Sequence, residues 1–219
     1  MAKWVIVSTK FLNVREIKVL TFKHPSKEEG EVLLELDSKV YSSTWQVDPK
    51  FVDRLFSIND KTHIIVKNDG VVKGYIGFIP LPKEIYDKVL RQEIDEDLIV
   101  DHVLPFYGDI YLYAISILVD TNDPLRKLYS KCLISKVPCL LELYQGLGAN
   151  IKEIGLIAVT KKGQEIGLSW GLSPSEYVNV DGENFAVLRG KPDDVIRNIR
   201  GHKRAFNTGS LFDGVKITS

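Results

Sequence analysis

Residues 71–80, VVKGYIGFIP, stand directly behind the turn Asn68-Asp69-Gly70. Asp-Gly between two alternating apolar runs is a strong hairpin signal, because both central positions of the tight turn need positive φ. Residues 62–66 supply the partner strand. Working outward, residues 109–119, DIYLYAISILV, read as a second long strand that runs into an extended helical segment. Residues 151–159, IKEIGLIAV, read as a third strand, which leads into a short segment ending at Trp170-Gly171-Leu172. The order is hairpin, strand, long helix, strand, short helix. It predicts an α/β (α+β) fold.

Composition sets the frame. A chain of 219 residues can bury one good core, and 44% hydrophobic with 26% charged residues is ordinary for a globular protein. Lys+Arg and Asp+Glu stand at 29 each, so global charge gives no indication of nucleic acid or an anionic surface as partner. The apolar runs are strand-sized, well short of the roughly 20 residues a bilayer span needs, and no membrane association is expected. Residues 1–10, MAKWVIVSTK, do not read as a secretory signal, and a cytoplasmic location is expected. Cys132 and Cys139 lie seven apart in one helical segment, too far for a bridge and without the spacing of a metal site. They are expected to be reduced packing residues, and no metal is expected.

The remaining segments are read more coarsely. Residues 4–7 suggest a strand, 15–22 a strand or short helix, and 31–36 either. KHPSKEEGE between them reads as a loop, 49–55 as a short proline-initiated helix, and 83–91 as a helix. QEIDEDLIVDHVLPF reads as a helix end and loop. The long helix is expected to start at Asn122 or Asp123 and end near Gly146, with Pro138 kinking or splitting it. Asp181-Gly182 marks a second hairpin between 177–180 and 185–188; 192–199 reads as a helix and 201–219 as an extended or mobile tail. The basic cluster in RNIRGHKRAF reads as a solvated helix end.

The chain resembles the GNAT-type, acyl-coenzyme A-dependent N-acyltransferase superfamily. The resemblance is carried by VVKGYIGFIP, by YAISILV before the long helix, by GLIAV, and by the closing SWGL. It spans roughly residues 59–188. It implies a mixed, mostly antiparallel sheet whose parallel pair, 109–119 and 151–159, splays apart between flanking helices. It further implies one domain over 1–200 with 1–58 variable, acetyl-CoA or another acyl-CoA as co-substrate, and an amine of unknown identity as acceptor. The pantetheine arm is then expected along Ile117, Leu118 and Val119, and Thr160 is expected among the cofactor-binding residues. The pyrophosphate is expected on the helix start, formed by Leu125, Arg126, Lys127, Leu128, Tyr129, Ser130 and Lys131.

Two departures from the family pattern stand in the residues. The turn DTNDPLRKLYSKC lacks the close glycines that let backbone approach a pyrophosphate. No tyrosine occupies the position before Trp170-Gly171 that would protonate the leaving thiolate; Gly167 falls there. Amine acylation still needs a base, because only the neutral amine attacks a thioester. Tyr113 and His102 are the candidate catalytic residues, with Asp101 and Tyr111 in reach. A non-catalytic GNAT-like domain binding protein, peptide or RNA is the alternative reading.

Overall fold

The computed structural model describes residues 4–5, 17–201 and 215–218. One sheet runs through it, in the order β1-β9-β2-β3-β4-β5-β6-β8-β7. The strands are β1 (Trp4–Val5), β2 (Ile17–Lys23), β3 (His63–Asn68), β4 (Val71–Leu81), β5 (Gly108–Val119), β6 (Ala149–Ala158), β7 (Ser173–Val180), β8 (Glu183–Gly190) and β9 (Val215–Thr218). The helices are α1 (Gly30–Ser38), α2 (Pro49–Ile58), α3 (Lys83–Leu90), α4 (Arg126–Gly146), α5 (Lys161–Ser169) and α6 (Pro192–Gly201). All pairs are antiparallel except β5 with β6 and the short β1 with β9.

Both hairpins form at the turns read from sequence. Asp69 and Gly70 have φ of 50° and 83°, and Asp181 and Gly182 of 52° and 86°. The crossover helix α4 lies against one face of the sheet, burying Tyr129, Leu133, Val137, Leu140, Leu141 and Tyr144 with the strand residues Ile76, Phe78 and Leu112. The spacing of four, four, three, one and three keeps these side chains on one stripe. On the other face α2 and α3 bury Phe51, Leu55, Tyr86 and Val89 against Ile79, Leu81 and Tyr113.

Several expectations change. KHPSKEEGE is not a loop throughout: a short 3-10 turn at Lys27–Glu29 runs into α1, closed by a capping box of Ser26 and Glu29. The segment read as helix end and loop holds a 3-10 helix, Glu96–His102. α4 begins at Arg126, later than Asn122 or Asp123, because Asp120 and Asp123 spend their acceptors on a preceding turn. Pro138 neither splits nor ends α4, which stays continuous from Arg126 to Gly146. Pro138 is itself buried, so packing outweighs the missing backbone bond there. Within the expected tail, VKIT forms β9 and pairs with β2. Residues 6–7 and 15–16 of the expected first strands, and His202, Lys203 and Arg204, lie outside the described residues.

Candidate active site at the splayed strands

β5 and β6 pair in parallel from Gly108↔Ala149 to Tyr113↔Gly155 and then separate. The cause is local. Between Gly77↔Ser116 and Ile79↔Tyr113 the β4–β5 register shifts, with an extra residue on β5. A bulge bends the strand that carries it and raises its twist. β5 therefore turns away from β6 at the last shared pair, while staying bonded to β4 as far as Val119. Gly155, at that last pair, lets α3 come close: a Cβ there would stand 2.7 Å from Leu90 Cδ1 and press on the Tyr86 hydroxyl.

The gap is a cavity of about 300 Å³. Ala114–Val119 of β5 form one wall, and Leu156, Ile157 and Val159 the other. Thr160, Lys162 and Gly163 of the next turn, with Ser130 of α4, stand at its mouth. Among the described residues, the edge of β5 facing this gap has no strand partner beyond Tyr113, so its peptide groups are available to an extended ligand. Trp170 also lines the cavity; it is 1% exposed, and its Nε1–H has no hydrogen-bond partner among the described residues.

At the inner end stand Tyr113 and Glu96. The Tyr113 hydroxyl donates to Glu96 Oε1. Burial pushes the Glu96 carboxyl up to about 7, with the neighbouring negative charges of Asp37 and Asp97 adding to the rise and the Tyr113 bond opposing it. A smaller chamber of about 40 Å³ continues behind it, shared through Tyr41, Trp45, Glu96, Ile115 and Ser116. Asp37 of α1 lines that chamber and accepts from the Tyr75 hydroxyl. Burial raises its carboxyl to about 6. Tyr41 Oη and Ser116 Oγ lie 3.3 Å apart beside it.

Of the residues expected from sequence, Tyr113, Ile117, Leu118, Val119, Ser130 and Thr160 line the cavity. Leu125, Arg126, Lys127, Leu128, Tyr129 and Lys131 are not among its lining residues, and neither is His102. His102 ends the 3-10 helix, exposed to solvent. Its neighbour Asp101 pairs with Arg54, and the Tyr111 ring packs at a tilt against Tyr86, centroids 5.2 Å apart. The Tyr129 ring, sited where a pyrophosphate would need open backbone, turns into the core instead: it is fully buried, and its hydroxyl takes 2.9 Å from Asn68 Nδ2.

The start of α4 carries its own acid groups. Asp123 Oδ1 accepts from the Leu125 N–H at 2.8 Å, and the Arg126 N–H bonds the Asp123 carbonyl at 3.0 Å. Lys73 bridges both carboxylates, 3.0 Å from Asp123 and 3.7 Å from Asp120. A helix start is a ready anion site only while its donors are open. Here part of that capacity is already used.

Sequence reasoning did not single out Glu96, Asp37 or the Tyr41–Trp45 pair. Glu96 sits in an acidic stretch without periodicity, and Asp37 in a segment whose helical or extended state was open. Nothing local distinguishes them from solvated acids.

Comparison with solved structures supports the same architecture. The loading GNATL domain of CurA from Lyngbya majuscula superposes with a TM-score of 0.58 at 10% identity, over 80% of this chain and 98% of that one. A GphF GNAT-like decarboxylase in complex with isobutyryl-CoA gives 0.53 at 9%, over 78% and 98%. The yncA protein from Salmonella typhimurium, with its cofactor acetyl-CoA, gives 0.51 at 13%, over 80% and 94%. No family model matches the chain, and comparison with curated protein sequences found no match. The fold is GNAT-like: a mixed, mostly antiparallel sheet with a splayed parallel pair between helices. Among the described residues no helix is long and apolar enough to cross a membrane.

Proposed function

We propose that this protein transfers an acyl group from an acyl-coenzyme A thioester to an amine. The observation that carries the reading is the unpaired edge of β5 opening onto a cavity that ends at Glu96. An extended pantetheine arm can add to that edge as a further strand does, and two solved neighbours of this fold hold acyl-CoA or acetyl-CoA. The Trp170 Nε1–H is a buried donor suited to a carbonyl of the arm or of the thioester. Lys162 and Thr160 at the mouth, with Arg126, Lys127 and Lys131 beyond it, supply charge for the phosphates.

The chemistry then assigns Glu96 as base. Its carboxylate takes a proton from the ammonium; the freed lone pair attacks the thioester carbon, forming C–N. The tetrahedral intermediate collapses, C–S breaks, and the sulfur leaves as thiolate, which takes up the proton Glu96 received. The nitrogen, which carries two protons after the attack, releases one to water and keeps the other as the amide N–H. Tyr113 orients Glu96 through its hydrogen bond. His102, exposed and outside the cavity, has no part in this scheme. On this reading residues 1–200 are one acyltransferase domain, with 59–188 its common core and 1–58 its acceptor-side part, and the cytoplasm, which holds acyl-CoA, is its setting.

The carboxylates at the start of α4 favour one second reading, a GNAT-like binding module that has given up the cofactor. Melting with acetyl-CoA separates them. A ligand at about 100 times its Kd stabilises by about 2.7 kcal/mol, which is several degrees for a chain of this size. The acyltransferase reading expects that shift and thiol release on adding amines. An unmoved melting temperature at millimolar acetyl-CoA gives the binding module precedence.

A further inference from the structure

Trp170 closes α5, and its backbone is fixed from both sides. Its N–H bonds the carbonyls of Ile166 at 3.0 Å and Gly167 at 3.1 Å, and Asn198 Nδ2 donates to its carbonyl at 3.4 Å. The indole packs on Phe78, ring centroids 6.2 Å apart. Phe78 lies between the pairs Gly77↔Ser116 and Ile79↔Tyr113, across from the bulged Ala114 and Ile115 of β5. The indole therefore stands at the inner end of the cavity, level with the point where β5 leaves β6, and not at the mouth by Ser130 and Thr160. Phe78 and Trp170 belong to the core under α4, and Tyr113, bonded to Glu96, to the core under α2 and α3. The gap is flanked by a carboxyl on one face of the sheet and an indole N–H on the other.

That N–H stands out. Among the described residues two buried side-chain polar atoms lack a partner: Asn68 Oδ1, an acceptor that does not line the cavity, and Trp170 Nε1, a donor that does. An unpaired buried donor costs stability that a ligand's acceptor recovers. A donor held this firmly also needs no reorganisation when charge develops beside it.

Three groups of an acyl thioester could accept from it. The carbonyls of the arm fall toward the mouth, along residues 117–119. The thioester oxygen has the open N–H groups of β5 at hand. The sulfur has no such alternative. At Gly167, one turn before Trp170, a Cβ would stand 2.6 Å from Leu188 Cδ1, so that position faces the sheet and leaves no room for a phenol. Lys162, the one lysine among the lining residues, stands at the mouth.

We propose that the Trp170 Nε1–H holds the sulfur of the acyl donor and stabilises it as the thiolate leaves. When C–S breaks, the electron pair goes to sulfur, and the indole donates to that anion while keeping its own proton. The proton that ends on sulfur is the one Glu96 received. This assignment rests on the acyltransferase reading.

Coenzyme A itself, bound to the full chain, is the probe, and desulfo-coenzyme A, which lacks the sulfur, is the control. Melting shows whether each binds. The indole N–H resonance of Trp170, assigned by elimination with Trp4→Phe and Trp45→Phe, is expected to move downfield with coenzyme A and to follow the thiol's ionisation as pH rises. With desulfo-coenzyme A it should move far less. Trp170→Phe keeps a ring and drops the donor; it should raise the pKa of the bound thiol, read from thiolate absorbance, by about one unit or more. A merely structural role for the indole would leave that value in place, and an unchanged value overturns the proposal. Coenzyme A that binds while the indole signal responds equally to both ligands, or to neither, also overturns it and leaves acyl transfer standing. Coenzyme A that fails to bind overturns acyl transfer and this assignment with it. The resonance is read on the unaltered protein, so the test holds whatever Trp170→Phe does to folding.

Discussion

A carboxyl group that is to accept a proton near neutrality must be shielded from water yet keep a polar partner, and Glu96 is placed in that way, with Tyr113 as partner. Glu96→Gln keeps the shape and the Tyr113 bond but cannot take a proton. Turnover is expected to fall by roughly 10²–10⁴, the usual range for a lost general base, with acetyl-CoA melting shifts retained. The wild-type rate should rise with pH and level off above about 7, since only the carboxylate works as base. Stability runs in the opposite sense. The folded value of about 7 exceeds the ordinary 4.5, so the fold favours the protonated group. That stabilisation is fully present below the unfolded value and is lost as pH rises through 7. Glu96→Gln should therefore raise stability by about 1–2 kcal/mol at pH 8, discounted for a half-buried position, and by little at pH 4.5. Urea midpoints at the two pH values check it, and equal changes at both would remove the buried-base argument.

At the scale of elements, the bulge in β5 and the glycine opposite it decide that a cleft exists. Gly155→Val would drive a branched side chain into Tyr86 and Leu90 of α3, which cannot shift without losing the Tyr86 bond to Glu153, 3.0 Å long. Overpacking of this kind costs about 1–3 kcal/mol, read as a lower urea midpoint with unchanged slope. The hairpins, the long strands and the crossover helix were legible because Asp-Gly turns and apolar periods are local signals. The parallel pair itself was expected through family resemblance, and it is present. What sequence could not show was tertiary. The bulge appears only as a shift between β4 and β5 pairings, and VVKGYIGFIP gives no hint of it. The Tyr129 ring could have faced the groove or the core, and Asn68, distant in sequence, settles it. Glu96 and Asp37 come together only because α1 and the 3-10 helix each bring one of them to the chamber beside Ile115 and Ser116 of β5.

On the acyltransferase reading, the whole molecule's balanced charge of +0 leaves recognition of a polyanionic donor to local arrangement, and at the start of α4 that arrangement is mixed. Arg126, Lys127 and Lys131 carry charge that would favour a diphosphate there, while Asp120 and Asp123, bridged by Lys73, oppose it and take up backbone donors. Asp123→Ala removes one negative charge and frees the Leu125 N–H. If the diphosphate approaches this turn, acetyl-CoA should bind several-fold more tightly to the variant, and more steeply so at low salt. Acetyl-pantetheine, which lacks the diphosphate, should bind the two proteins alike. The same substitution removes the turn's Asp123–Leu125 hydrogen bond and should lower stability by about 0.5–1.5 kcal/mol, so the gain in affinity cannot be credited to a firmer fold. Conversely Arg126→Ala with Lys127→Ala should weaken acetyl-CoA and spare acetyl-pantetheine. Should Asp123→Ala strengthen both donors equally, the diphosphate lies elsewhere on the surface, and the pantetheine contacts along β5 carry the recognition alone.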